Sequence, residues 1–266
     1  MTDAFFKKKI YTYYRTHGRA HLPWRKTTDP YKILVSEIML QQTQAARVVP
    51  KYEEFIKKWS TVKSLAKASN IEVLKLWSGL GYNRRAINLQ RAAMVIVEDH
   101  KGVFPRTIDG LRSLPGIGPY TAGAIFAFAY NQPFVMIETN IRSVYIHFYF
   151  PNQEQVADSE LLPIIERTLD RTNPRQWYAA LMDYGAMLKS TQTNPSRKSA
   201  QHVSQTKFKG SVREVRGDIL KTLLEKKKAT SKQLQKQFET DRFAKAIEGL
   251  QKDGLIQKKG SAYILV

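Results

Sequence analysis

In the run LPGIGPYT, Leu114 to Thr121, two glycines are separated by one apolar residue and followed by a proline that opens an apolar helix. Gly116 and Gly118 let a backbone come close to a ligand, and Pro119 suits the first helical position, where no amide hydrogen is needed. The amides that follow have no partner inside the helix and attract an anion. Leu114, Gly116, Gly118 and Thr121 are therefore candidate contacts for a phosphate. The same run also fits an ordinary corner between two helices.

A hairpin of this kind needs helices on both sides. From Ala4 to about Met187 apolar residues recur at helical spacing, as in Ile33, Leu34, Ile38, Met39 and again in Tyr52, Phe55, Ile56, Trp59. Breaks at His21-Leu22-Pro23, Asp29-Pro30, Gly79-Leu80-Gly81, Lys101-Gly102, Pro115-Gly116, Asn131-Gln132-Pro133 and Pro151-Asn152 divide this mainly α region. Residues 189–211 are polar and basic and read as a linker or strap. Three helix-length segments follow, Val212 to Lys227, Ser231 to Phe238 and Arg242 to Asp253. Then LIQKKGSAYILV predicts a small hairpin around Lys259-Gly260, and the pattern is that of a winged helix. The expected organisation is a helical core over 1–188, a strap over 189–211 and a small winged-helix-like α+β domain over 212–266.

The chain has 43 Lys and Arg against 23 Asp and Glu, a net charge of +20. That is far more than solubility requires, so a polyanion is the expected partner. With 42% hydrophobic and 11% aromatic residues the charge sits on a folded protein, which favours nucleic acid over a membrane surface. From Ser196 onward 17 Lys and Arg stand against 7 Asp and Glu, so +10 of the +20 lies in the last quarter. The winged-helix segment thus reads as a DNA contact, although a basic winged helix also serves as a protein-docking module. There is no cysteine, which excludes disulfides, cysteine nucleophiles, Cys-ligated zinc and ordinary iron–sulfur sites. No cofactor or metal is expected. The apolar stretch Ala122 to Ala129 is too short to span a bilayer, and MTDAFFKKKIYTYY lacks a signal-peptide core. The expectation is a monomer in the cytoplasm, nucleoid-associated if bacterial.

Six motifs occur in order: LPWR (Leu22 to Arg25), DPYKILVSEIMLQQTQ (Asp29 to Gln44), GLGY (Gly79 to Tyr82), LPGIGPYTAGAI (Leu114 to Ile125), ETNIRSV (Glu138 to Val144) and LMDYGAML (Leu181 to Leu188). Together they resemble the MutY-type adenine DNA glycosylases of the endonuclease III-like helix-hairpin-helix (HhH-GPD) superfamily. The match covers about the first 190 residues, SEIMLQQTQ being its most specific part, and FKGSVREVRG (Phe208 to Gly217) resembles the strap that follows the core in that family. The resemblance implies a two-lobed all-helical core with DNA across the cleft between the lobes. It also implies a base excision repair enzyme that flips adenine out of a mispair with 8-oxoguanine or guanine and hydrolyses its N-glycosidic bond.

That reaction needs a proton on the leaving base and negative charge near the sugar, which two carboxylates in different environments can supply. By resemblance Glu37 is the general acid, and Val35, Ile38, Met39 and Leu40 around it would raise its pKa. Read alone, Glu37 is equally an exposed helix carboxylate. Glu138 occupies the position where the family has aspartate. The extra methylene moves a carboxylate by about 1.5 Å, and misplacement on that scale costs about a hundredfold in rate. Its other reading is a helix N-terminal carboxylate stabilised by the dipole. Asn140 corresponds to a residue near the reacting sugar, Asp183 to a carboxylate that orients Glu37 or the base, and Trp24 to the base pocket, while Arg25 is a DNA contact. Position 120, a lysine in bifunctional relatives that form a Schiff base, is Tyr120, which implies a monofunctional glycosylase with no β-lyase activity. A tyrosine there also occurs in mismatch thymine glycosylases. Gln42 and Tyr82 match the residues that fill the hole left by a flipped base.

Where most relatives carry four cysteines around an iron–sulfur cluster, this chain reads KSTQTNPSRKSAQHV, and Lys189, Arg197, Lys198 and His202 are candidate phosphate contacts. The Nudix-like domain through which many relatives inspect 8-oxoguanine is replaced by the short winged-helix segment. Two alternatives therefore stand beside adenine removal: a glycosylase for thymine or uracil mispaired with guanine, and a non-catalytic module that binds damaged duplex.

Overall fold

The computed structural model describes residues 1–204, 207–235 and 238–266. Helices α1 (Asp3–His17), α2 (Pro30–Leu40), α3 (Ala45–Lys58), α4 (Val62–Ala66), α5 (Asn70–Trp77) and α6 (Arg84–Glu98) come first. They are followed by α7 (Ile108–Arg112), α8 (Pro119–Tyr130), α9 (Thr139–Tyr149), α10 (Asp158–Thr168) and α11 (Pro174–Thr191). The C-terminal region runs α12 (Val212–Lys226), β1 (Lys228–Thr230), α13 (Ser231–Gln235), α14 (Thr240–Lys252), β2 (Ile256–Lys259) and β3 (Ala262–Leu265). The mainly α class, with a small sheet near the C-terminus, is as the sequence pattern implies. Among the described residues no helix is long and apolar enough to cross a membrane.

The chain divides into two compact units, one of Met1–Glu37 with Val103–Val203 and one of Ile38–Gly102 with Ser204–Val266. The expected division at 188 and 211 follows chain order; this one follows contact, which is why both units are discontinuous in sequence.

In the first unit α11 packs against α1, α8 and α9. An aromatic cluster fills the centre, with Phe6 5.1 Å from Tyr145 and 5.8 Å from Trp177, ring centre to ring centre. The crossing of α11 and α9 is close because position 185 has no side chain. A Cβ on Gly185 would lie 2.4 Å from the Asn140 carbonyl oxygen, so only glycine permits this approach.

The second unit joins α3 to α6 with the C-terminal elements. Short helices here are fixed by local hydrogen bonds: Thr61 and Ser64 cap α4 reciprocally, and Ser69 and Glu72 do the same for α5. The C-terminal part packs α12 on α14 and on a three-stranded antiparallel sheet of order β1-β3-β2, in which Ala229 and Lys258 both register with Tyr263. The sequence predicts the hairpin; the short strand β1 emerges only from pairing with β3. The second predicted helix is seen from Ser231 to Gln235, with Lys236 and Gln237 outside the described residues.

The expected strap is more ordered than its polar composition suggests. Helix α11 continues to Thr191, and Pro195–Lys198 forms a 3-10 turn with Pro195 and Ser196 buried. The Asn194 side-chain oxygen accepts from Ser143 Oγ at 3.1 Å, Ser196 N at 3.1 Å and Ser196 Oγ at 2.9 Å. Val156 N donates to the Lys198 carbonyl at 2.8 Å, and Ala200 N donates to that of Val156 at 2.9 Å. A polar sequence can pack inside when its groups satisfy one another. Gln205 and Thr206, also in this segment, lie outside the described residues.

Candidate active site and nucleic-acid surfaces

The run Leu114–Thr121 folds as the hairpin its glycines predict. Gly116 has φ +77°, a left-handed turn that side-chain-bearing residues rarely adopt, and Gly118 is the N-cap of α8 with Pro119 in the first turn. Gly118 offers no side chain to cap this helix end, and a Cβ on it would meet nothing within 4 Å among the described residues. Leu114 and Thr121, the other two candidate phosphate contacts, are 2% and 3% exposed.

Position 120 is the second residue of α8. From there the Tyr120 hydroxyl donates to Glu37 Oε2 at 3.1 Å. Glu37 sits on α2 and is 7% exposed. Burial drives its pKa up to about 7; the Tyr120 hydroxyl and the charge of Arg25 oppose the shift, and the charge of Glu138 adds to it. The apolar setting read from the sequence does raise this carboxyl. Tyr120 itself is held well above the usual phenol range, chiefly by burial and then by the negative charges of Glu37 and Glu138. It is a neutral donor.

Glu138 is the N-cap of α9. Its Oε1 accepts from the backbone amides of Asn140 at 2.7 Å and Ile141 at 2.9 Å, and its Oε2 from Asn140 Nδ2 at 3.1 Å. The helix-terminal reading is therefore correct in geometry, and the extra methylene is taken up by a fold-back onto the helix amides. This does not remove its charge from the site, since that charge raises Glu37 and also attracts the half-buried Lys189, whose pKa burial lowers.

Asp183, on α11, is buried, and its oxygens take Arg19 N and Nε, each at 2.8 Å, with Arg25 Nη2 3.5 Å away. Its contacts go to Arg19 and Arg25 and not to Glu37. Arg25 is itself enclosed: its guanidinium lies over the Phe128 ring at 5.5 Å, and its buried Nη1 has no hydrogen-bond partner among the described residues. Arg25, expected from the resemblance to contact DNA, thus has its side chain 11% exposed, with its guanidinium near both Asp183 and Phe128. Trp24, in the 3-10 turn Pro23–Arg25, is buried beside it in sequence.

In the second unit the two wedge candidates share an unusual backbone. Gln42 has φ +54° and Tyr82 φ +48°, left-handed values that carry strain for residues with a side chain. Both turns are held by a residue the sequence reading missed. Arg85 donates from Nη1 to the carbonyls of Ile38 at 2.7 Å, Met39 at 3.1 Å and Gln41 at 2.5 Å. From Nη2 it donates to those of Leu80 at 3.2 Å and Gly81 at 3.1 Å, and to Thr43 Oγ1 at 3.3 Å. Burial pushes its pKa down to about 10, still cationic at neutral pH. Arg47 also donates to the Gly79 carbonyl. The available signal was two arginines directly after a glycine-rich turn, where exposed carbonyls need cationic donors.

Of the candidate phosphate contacts near the C-terminal end of the first unit, Lys198 Nζ donates to the Pro151 carbonyl at 2.7 Å. His202 is exposed. With no cysteine in the chain, this segment offers no thiolate for an iron–sulfur cluster. The buried Ser196 and Ser199 and the bonds to Asn194 hold it instead.

The profile of the HhH-GPD superfamily base excision DNA repair proteins matches residues 35–165, a span that includes Glu37, the hairpin and Glu138. The adenine DNA glycosylase of Mycolicibacterium smegmatis is 34% identical over 265 residues, 91% of this chain and 89% of that protein. The chain belongs to the MutY-type adenine DNA glycosylase family of the HhH-GPD superfamily. Another member of that family, from Buchnera aphidicola subsp. Baizongia pistaciae, is 36% identical over 192 residues, 71% of this chain and 54% of its own length. The chain thus spans about half the length of this Buchnera relative. The HhH-GPD fold is also that of a solved thermostable thymine-DNA glycosylase, with a TM-score of 0.65 and 30% identity over 73% of this chain and 90% of that one.

Proposed function

We propose that this chain is a monofunctional DNA N-glycosylase of base excision repair that removes adenine mispaired with 8-oxoguanine or guanine. The observation that carries the reading is Glu37, enclosed, pushed up to about 7 and held by a neutral phenol at 3.1 Å. A carboxyl with that pKa is protonated in about half of the molecules at neutral pH, as a general acid requires. Glu37 gives its proton to a ring nitrogen of the flipped adenine. The electrons of the bond from C1′ to the base leave with the base. Water then adds at C1′, and its proton returns to Glu37. Glu138, fixed by two backbone amides, supplies negative charge while the sugar is cationic. The enclosed Arg25 Nη1 is a donor for an acceptor on the base. Tyr120 cannot form an imine, so the product is an abasic site in an intact strand.

The partner in this reading is duplex DNA with a mispair or an oxidised base, bound by a monomer in the cytoplasm or on the nucleoid. The hairpin N-terminus takes a phosphate, and Gln42 and Tyr82 fill the duplex where the base has left. The chemistry as written draws on no cofactor. The choice of adenine is supported by the names of the curated relatives. A second reading, thymine or uracil opposite guanine, is favoured by the solved thymine-DNA glycosylase.

Duplexes carrying A·8-oxoguanine, A·G, T·G and U·G, heated in alkali after incubation, test both. Cleavage at adenine only after alkali is expected. Cleavage confined to T·G or U·G would move the reading to the second activity. Tight binding with no excision from any duplex would leave a damage-binding module.

A further inference from the structure

The C-terminal region is a winged helix whose third helix, α14, is the element such folds ordinarily offer to a groove. Its exposed residues are Thr240, Asp241, Ala244, Lys245, Glu248, Gln251 and Lys252, two acids against two bases. That face has no net attraction for a phosphate backbone. Exposed lysines lie at 226–228, 232, 258 and 259, and a further group, which also carries an exposed aromatic ring, stands at the turn that leads into α12. There Lys207, Phe208 and Lys209 are all exposed, Phe208 by 61%.

This turn is built and held. Ser211 Oγ donates to the Phe208 carbonyl at 2.6 Å, Gly210 N donates to Glu214 Oε2 at 2.6 Å, and Arg242 Nη1 of α14 donates to the Gly210 carbonyl at 2.8 Å. Helix α14 thus buttresses the turn. Two residues beyond Ser211, Arg213 Nη1 donates to the Tyr82 hydroxyl at 2.9 Å, with the guanidinium 5.9 Å from the ring centre. Asp253 accepts from Arg216 at 2.5 Å and lies 3.5 Å from Arg84, whose side chain is 67% exposed. The acids near the turn are each engaged, Glu214 with Gly210 N, Asp253 with Arg216 and the exposed Glu239 with Arg242.

We propose that the turn Lys207–Gly210 and Arg213 extend the DNA surface that begins at Tyr82, so that the winged-helix domain grips the duplex by the start of α12 and not by α14. The occupant is the phosphate backbone flanking the site where Tyr82 enters the duplex, with Lys207, Lys209 and Arg213 on phosphates and Phe208 against a sugar or an exposed base. Arg213 has a second task as a positioning residue, holding the Tyr82 ring. The proposal rests on the DNA-glycosylase reading for its ligand.

The experiment uses the full chain and a duplex with a non-hydrolysable abasic analogue, measuring affinity against salt. Each lost phosphate contact lowers the slope of log K on log salt by about 0.9. Lys207→Ala/Lys209→Ala is expected to lower it by about 2 and Arg213→Ala by about 1. Phe208→Ala should weaken binding several-fold with the slope unchanged. Lys245→Ala/Lys252→Ala, on α14, should leave affinity and slope as in the parent. Arg213→Gln, which keeps a donor for Tyr82 without the charge, should lower the slope as Arg213→Ala does. If instead the α14 pair lowers the slope and the turn variants do not, the proposal is overturned. These assays read binding alone, so a parent that excised no base would sink the glycosylase reading and leave this test intact.

Discussion

At Glu37 a carboxyl is stripped of water and given one hydroxyl partner; at Glu138 the same side chain is given two backbone amides and a side-chain amide. The first environment penalises the anion and leaves a proton available near neutral pH. The second sets three N–H donors against the carboxyl oxygens. Two identical residues about a hundred positions apart thus stand in contrasting environments, to which the proposed mechanism assigns different tasks. What separates them is their place in a helix: Glu37 faces inward from the body of α2, whereas Glu138 precedes the first turn of α9, where amides lack partners.

The most damaging way to probe this contrast is Glu37→Gln. Loss of the proton donor should lower single-turnover excision by at least about a thousandfold. The same variant should be more heat-stable than the parent at pH 8. The folded chain holds the Glu37 proton more tightly than the unfolded chain, so stability from this group is fully present below about 4.5 and lost as pH rises through about 7. The ionised carboxyl then costs on the order of 3 kcal/mol, which Gln removes. The gain in melting temperature should shrink toward pH 5, and a pH-independent gap would break the desolvation argument.

Glu138→Ala should lower excision by about a hundredfold and destabilise the fold by about 1 kcal/mol through loss of the cap. Glu138→Asp keeps both the charge and the cap, and should stay within tenfold of the parent. Equal loss in both variants would mean that position and not charge matters there.

Gly185→Ala forces α11 away from α9 or leaves a clash, and should cost about 1–3 kcal/mol in denaturant unfolding. Unfolding that matched the parent would mean that the helices move apart without penalty.

Tyr120→Phe should have the smallest effect on rate, less than tenfold, but a readable one on pH. The hydroxyl lowers the Glu37 pKa, so its removal raises it, and the fall in excision rate above neutral pH should move to higher pH. A shift to lower pH would show that the hydroxyl does not donate to the carboxylate.

Helices and hairpin were legible in the sequence because helical spacing, prolines and glycines mark them one by one, and the upward shift of the Glu37 pKa was legible in its apolar neighbours. Other features depend on partners far along the chain. That Asp183 is taken up by Arg19, or that Asn194 fastens a polar loop to Ser143, cannot be read from local composition, since each pairing joins residues from different elements. The same holds for β1, three residues whose strand character exists only beside β3. Arg25 shows the limit most plainly: LPWR marks it as cationic and near the site, but its burial over Phe128 comes from tertiary packing.

Because a single guanidinium at position 85 anchors both the Gln42 turn and the Tyr82 turn, the two cannot drift independently through evolution or engineering. A change that resets one loop alters the strain on the other through the same six contacts, so tolerated substitutions in SEIMLQQTQ and GLGYNRR should arise as coordinated pairs.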